Sequence, residues 1–341
     1  MPEHTAASVE AIAVTGACAV ERRDYAMRLA KARGFILVPA EQTGQGIAAV
    51  DRMIELVRTA FGARGVVLEY PTETPVMEIV GALSAPSAGT ELIDLVSVLD
   101  VGHLLDDLGS EELTELGSGG IVAAKAELLV SQIEFASTAA IVNAQALSAE
   151  EFELVIALIG HLNPDAHTAV ITEKNSVHGM VRWPFASRPP SAGWTAILNA
   201  EFWPRAYAAG LGACRYEQCR AFHPGRLHTT LTGCLSQGHC GRIIRSAGFA
   251  RLASRPHVTA QWDQVGTIFT LSPLALDDRL GEGGELLAFG QDLAFFGLDL
   301  DEAKLREALD SAVLTDAELT AGPMTWARFA DDFPAWDTAR M

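Results

Sequence analysis

The chain has 341 residues, 49% of them hydrophobic and 20% charged, which excludes a disordered chain and is long enough for two domains with separate cores. A formal net charge of −18 excludes a broad nucleic-acid-binding surface, which needs clustered Lys and Arg. No apolar run reaches the roughly 18–20 residues of a membrane-spanning helix, and the start of the chain lacks the basic-then-apolar order of a signal peptide. Five cysteines, an odd number, point to reduced thiols and a cytoplasmic location.

Residues 1–8 read as a polar tail. After it, short β-rich runs alternate with helical patterns. The expected strands lie at 11–15, 35–39, 66–69, 95–100, 139–143 and 168–172, with amphipathic stretches such as 46–60 and 121–136 between them. Continuous apolar strands alternating with helices predict a parallel, doubly wound α/β sheet over residues 9–172. Its functional loops belong at the carboxyl ends of the strands. Residues 173–193, with Lys174-Asn175-Ser176 and Arg188-Pro189-Pro190-Ser191, read as a linker. Residues 194–337 predict a smaller α+β domain. It has a strand at 213–219, a helix opening on Pro224, strands near 241–246, 249–253, 258–262 and 267–271, and a helix capped by Asp299 or Asp301.

The first strand runs into Gly16, where a phosphate-binding loop would begin. Such a loop follows G-x-x-x-x-G-K-[ST], with glycines so that backbone N–H groups face phosphate, Lys for the β/γ oxygens and Ser/Thr for Mg²⁺. Counted from Gly16, the second glycine is Glu21, the Lys is Arg22 and the Ser/Thr is Arg23. Glu21 puts a carboxylate where an anion should rest, Arg22 keeps charge without the slim ammonium, and Arg23 offers the metal no oxygen. The favoured reading of Gly16 to Arg23 is a decayed loop with solvated charges. The alternative is a residual anion site held by two arginines at a helix N-terminus.

The second half, through Arg220-Ala221-Phe222-His223-Pro224-Gly225-Arg226-Leu227, Ile244-Arg245-Ser246-Ala247-Gly248-Phe249-Ala250-Arg251-Leu252-Ala253-Ser254-Arg255-Pro256 and Leu314-Thr315-Asp316-Ala317-Glu318-Leu319 to Trp336, resembles the C-terminal domain of the CobW family of P-loop GTPases. The first half resembles the same family's G domain in outline. Glu69-Tyr70-Pro71-Thr72 stands where the family has Glu-Thr/Ser-x-Gly, and Val98-Leu99-Asp100 fits its next strand. Asn143-Ala144-Gln145-Ala146 replaces Asn-Lys-x-Asp, so the guanine-reading Asp is missing. The family's Cys-x-Cys-Cys motif is missing as well, since no cysteine lies between Cys18 and Cys214. The chain is similar in kind to degenerate actinobacterial members, such as the zinc-responsive protein that recruits a ribosome hibernation factor in mycobacteria.

The resemblance therefore implies a non-catalytic adaptor tied to zinc homeostasis, acting on a protein partner such as a ribosome-associated or translation factor, with no membrane role. The alternatives are a GTP hydrolase acting as a metallochaperone with GTP and Mg²⁺ as ligands, or a zinc-binding protein. Gly16, Arg22, Arg23, Glu69 and Asn143 mark the relic nucleotide site. Glu69 reads as a structural or surface carboxylate ahead of a metal contact. Cys234, His239 and Cys240 are the candidate zinc ligands, weighed against buried or incidental thiols. No residues are assigned to catalysis: Ser131, Ser148 and Ser254 lack a nucleophile-elbow setting. The acid pairs, including Asp331-Asp332, read as solvated turns, and the tryptophans as core staples.

Overall fold

The computed structural model describes residues 8–59, 63–117, 120–172, 185, 192–277 and 290–336. The contacts divide the chain into one unit of Met1–Ala192 with Pro204–Tyr207, and a second of Gly193–Trp203 with Ala208–Met341. Nearly all of the expected tail and of the expected linker fall outside the described residues. Among the described residues, no helix is long and apolar enough to cross a membrane.

The first unit runs β1 (Val9–Thr15), α1 (Ala19–Arg33), β2 (Ile36–Val38), α2 (Ala48–Thr59), β3 (Gly65–Glu69), α3 (Val76–Ser84), β4 (Thr90–Asp100), α4 (Leu104–Asp107), β5 (Leu113–Glu115), β6 (Val122–Ala124), α5 (Lys125–Glu134), β7 (Thr138–Val142), α6 (Ala149–Leu162) and β8 (His167–Val170). Six strands pair in the order β2-β3-β1-β4-β7-β8, all in parallel. Successive side chains of a strand face opposite sides of a sheet, so a strand buried on both sides is apolar throughout. β1 shows this directly. Ala11 and Ala13 join Met53, Val57, Ile79 and Leu83 of α2 and α3, whereas Ile12 and Val14 join Tyr25, Ala26 and Leu29 of α1. Helices thus cover both faces, the doubly wound arrangement expected. β1 sits between β3 and β4, so the chain fills β2 and β3 on one side of β1 and then crosses to β4, β7 and β8 on the other, and the crevice at the carboxyl ends where the direction changes is where such sheets bind ligands.

Local signals set the boundaries. Gly34 closes α1 in the left-handed region at φ 67°, and its N–H donates to Ala30. Ser148 opens α6 with a reciprocal box: its hydroxyl accepts from the Glu151 amide, and the Glu151 carboxylate accepts from the Ser148 amide. Ser148→Ala is expected to destabilise this unit by about 1 kcal/mol, measured as a shift in the urea midpoint at unchanged m-value. The antiparallel pair β5–β6 has no counterpart among the expected elements.

The second unit runs α7 (Gly193–Leu198), β9 (Leu211–Gln218), α8 (Pro224–Thr230), β10 (Arg242–Ala250), β11 (Val258–Val265), β12 (Ile268–Leu276), β13 (Gln291–Leu298), α9 (Glu302–Ala312), α10 (Asp316–Ala321) and α11 (Pro323–Trp326). Its five strands pair as β12-β11-β10-β13-β9, antiparallel throughout. Leu227 of α8 and Leu305 and Leu309 of α9 pack on Trp262, Phe295 and Phe222. Trp262 is wholly buried, and its indole N–H donates to Ser246 Oγ at 2.8 Å. Asp301, and not Asp299, caps α9 by accepting from the Lys304 amide.

Two expected strands over 241–253 are in fact one. Gly248 suggests a break, yet it lies inside β10 at φ 145°, where a Cβ would come within 2.1 Å of the Asp292 carbonyl oxygen on β13. The glycine permits a close crossing, not a turn. β13 is a further strand beyond those expected, and it lies inside the sheet between β10 and β9. The tryptophans divide. Trp194 meets Phe249 edge-on and Trp336 packs against the core, but Trp203 is 79% exposed and staples nothing. Asp331 is not a solvated turn acid: it accepts from Arg255 and Ser254, and Arg255 stacks on Trp336 at 4.1 Å. Arg226 grips Glu318 through two nitrogens, which holds that carboxyl down at about 2.

Candidate functional site at the carboxyl ends of the parallel strands

β1 and α1 are joined by three residues, Gly16-Ala17-Cys18. Gly16 is at φ 148°, and a Cβ there would lie 2.5 Å from the Val98 carbonyl oxygen, so the strand must leave the sheet through a residue without a side chain. The helix then begins at once. Cys18 is its N-cap, and the Arg22 amide already donates to the Cys18 carbonyl at 3.0 Å. Glu21, Arg22 and Arg23 therefore belong to the first turns of α1, not to a loop. The Arg22 amide is committed to the helix and does not face outward as a phosphate cradle requires.

The guanidinium of Arg22 turns back under the connection. It donates to the Gly16 carbonyl at 2.6 Å, to Thr72 Oγ1 at 2.9 Å and to Glu69 Oε1 at 3.3 Å. Arg23 reaches the other oxygen, Glu69 Oε2, at 2.8 Å, and also pairs with Glu41. The Ala40 amide also donates to Glu69 Oε2, the third donor to this carboxylate. Arg22 is 4% exposed and Glu69 2%. Arg22 is therefore not the solvated charge expected, and of the structural or surface roles expected for Glu69 it takes the structural one, as the buried counter-ion of both arginines.

Asn143, just past β7, is left-handed at φ 59° and donates from Nδ2 to Asp100 Oδ2 at 2.8 Å. Asp100 ends β4, is 9% exposed, and also accepts from the Gly102 amide through Oδ1 at 3.1 Å. Beside it stand Cys18 and Glu21, each with one potential ligand atom within 4.8 Å of the others. Burial, and then the carboxylates of Asp100, Asp107 and Glu21, push the Cys18 thiol up to about 11. A cleft of about 620 Å³ opens alongside, lined by Glu21, Asp24 and Arg28 of α1 and by Asn143, Gln145 and Thr172.

Gly16, Arg22, Arg23 and Glu69 thus form one bonded group, while Asn143 bonds to Asp100. Sequence reasoning passed over Asp100 and Cys18 as site residues. Their signal was position alone, one at the end of a strand and the other in the first βα connection.

The expected metal ligands in the second unit are arranged otherwise. Cys234 and Cys240 are joined in a disulfide, so neither offers a thiolate, and His239 is exposed between them. This also corrects the expectation that all five thiols are reduced. The remaining cysteines separate: Cys214 packs against the core, and Cys219 is exposed.

Residues 211–313 match the cobalamin synthesis protein cobW C-terminal domain. Over 292 residues the chain is 26% identical to zinc-regulated GTPase metalloprotein activator 1 of Dictyostelium discoideum, a match taking in 76% of this chain. The chain spans 60% of the length of that curated relative. Among solved structures, it is similar to the Zn(II)-bound YjiA GTPase from E. coli, at 10% identity and a TM-score of 0.36 over 90% of this chain and 99% of that one. A Zn(II)-bound triple mutant of the YjiA GTPase gives 11% identity and a TM-score of 0.34, over 90% and 99% of the two chains.

Proposed function

We propose that this chain, a P-loop-like sheet followed by a cobW-type C-terminal domain, is a member of the CobW group in zinc homeostasis that does not hydrolyse GTP and acts by contact with another protein. The partner its sequence resemblance implies is a ribosome-associated or translation factor, met in the cytoplasm. The observation that carries this reading is the seat of Arg22. Where a nucleotide-binding relative needs outward-facing amides, a Lys and a hydroxyl for Mg²⁺, this chain has a three-residue connection closed from beneath by a guanidinium. That guanidinium is neutralised by Glu69. Phosphoryl transfer depends on positioned cations and bound Mg²⁺, and Arg23 supplies neither a metal ligand nor a free charge.

Titration calorimetry with GTP and Mg²⁺, with GDP and ATP as controls, tests the proposal. The expected result is no heat at concentrations that saturate an orthodox GTPase, and no phosphate release. Micromolar GTP binding would overturn it in favour of a second reading, a GTP-binding metallochaperone with an unorthodox phosphate loop. The cleft that keeps Asn143 and Gln145 on its wall favours that second reading, as does the GTPase activity for which the Dictyostelium relative is named. A zinc-binding role through Cys234, His239 and Cys240 requires the disulfide between the two cysteines to be opened first.

A further inference from the structure

We propose that Cys18, Glu21 and Asp100 bind a divalent transition cation, with zinc the ion their chemistry suits best. The three side chains come from two elements that meet only because β1 and β4 pair. Cys18 and Glu21 begin α1, and Asp100 ends β4. One potential ligand atom from each lies within 4.8 Å of the other two. A tetrahedral zinc with sulfur and oxygen ligands holds them roughly 3.3–3.8 Å apart, so a contraction of about 1 Å closes the site. The donor set is selective. Thiolate sulfur suits zinc and is foreign to Mg²⁺ and Ca²⁺, which take oxygen alone.

Three observations support a ligand here over a chance grouping. The first is charge. Among the described residues no Lys or Arg is ion-paired with Glu21 or Asp100, because the neighbouring Arg22 and Arg23 are turned to Glu69 and Glu41. A first-turn acid on a helix accounts for Glu21 alone; it does not account for a buried carboxylate and a thiol set against it. The second is orientation. Asp100 is held by the Gly102 amide and by Asn143 Nδ2, partners of the kind that aim a ligating carboxylate in a metal centre. The third is access: Glu21 and Asn143 both line the 620 Å³ cleft, which gives the ion a route from solvent. Binding forms a sulfur–metal bond and releases the Cys18 proton to solvent. Three protein ligands leave a fourth position for water or for a donor from elsewhere.

The inference stands apart from the proposed function, since its readout involves no nucleotide. The test is titration of the reduced full-length chain with Co²⁺, followed by displacement with Zn²⁺ against a chromophoric chelator. One Co²⁺ per chain is expected, with a thiolate-to-cobalt charge-transfer band that Zn²⁺ abolishes. Cys18→Ser should remove the band. Glu21→Gln and Asp100→Asn should each weaken binding by roughly 10-fold or more, while Cys214→Ser and Cys240→Ser leave the band intact. Glu21 is only half-buried, so its variant is the one that folds whatever becomes of Asp100→Asn. Retention of the band in Cys18→Ser, its loss in Cys240→Ser instead, or failure of the wild-type chain to bind stoichiometrically at low micromolar metal would overturn the proposal.

Discussion

Arg22→Ala is expected to destabilise the first unit by about 3–5 kcal/mol, the cost of stranding one partner of a buried ion pair. Glu69 is almost wholly enclosed, so its carboxylate cannot recover the lost contact from water. Arg23 and the Ala40 amide still reach Oε2, but Oε1 keeps no described donor once Arg22 is gone. The Gly16 carbonyl and Thr72 lose a donor in the same step. Arg22→Met combined with Glu69→Leu removes both charges and keeps most of the volume, and it should recover more than half of the loss. A double-mutant cycle by urea denaturation, with Arg22→Met and Glu69→Leu as the singles, measures the coupling, expected to exceed about 2 kcal/mol. Independent, additive losses at the two positions would show that the pair is not what closes the β1–α1 connection.

That same pair shows where sequence reading stops. Most of the six parallel strands are legible because they hold a short apolar run bounded by polar or glycine residues. Gly16, Glu69 and Asn143 are legible because they occupy strand ends that a nucleotide-binding sheet would use. What Arg22 does is not legible, because its partner lies 47 residues away and is brought there by the pairing of β1 with β3. Cys18 and Asp100 meet for the same reason, through β1 and β4, with Thr15 opposite Ser97. Strand order is a property of the whole sheet, and no local spacing encodes it.

β13 escaped notice for a different reason. Its run Leu293 to Phe296 is short and apolar without alternation, which periodicity alone does not separate from a helical segment, although Gly290-Gln291-Asp292 marks its start. At Gly248 the punctuation was present but misleading, because a glycine required by a close backbone crossing reads like one required by a turn. The Cys234–Cys240 bond was hidden by an inference from composition. An odd cysteine count argues for reduced thiols on average, yet a pair six residues apart on either side of one tight turn closes whatever the others do.

Asp94 gives the second large effect, and its sign is opposite to that of most carboxylates. It lies on β4, 3% exposed, and burial raises its acid from 3.8 to about 6 even though Ser137 and Thr138 donate to it and Arg33 lies near. A folded-state value above the unfolded one means that the native chain holds a proton the unfolded chain has released. Stability from this group is therefore complete below pH 4, falls as pH rises toward 6, and is lost by about 3 kcal/mol above it, at 1.36 kcal/mol per unit. Asp94→Asn keeps an acceptor for Ser137 and Thr138 and cannot ionise. The carboxamide carries some fixed cost or gain of its own, but that offset does not change with pH. The difference in unfolding free energy between variant and wild type should thus grow in the variant's favour by about 2.5 kcal/mol from pH 4 to pH 8. Urea unfolding across that range measures it. A difference that stays flat would mean that Asp94 is ionised in the folded chain throughout, and that the two hydroxyls, not a retained proton, bear the cost of its burial.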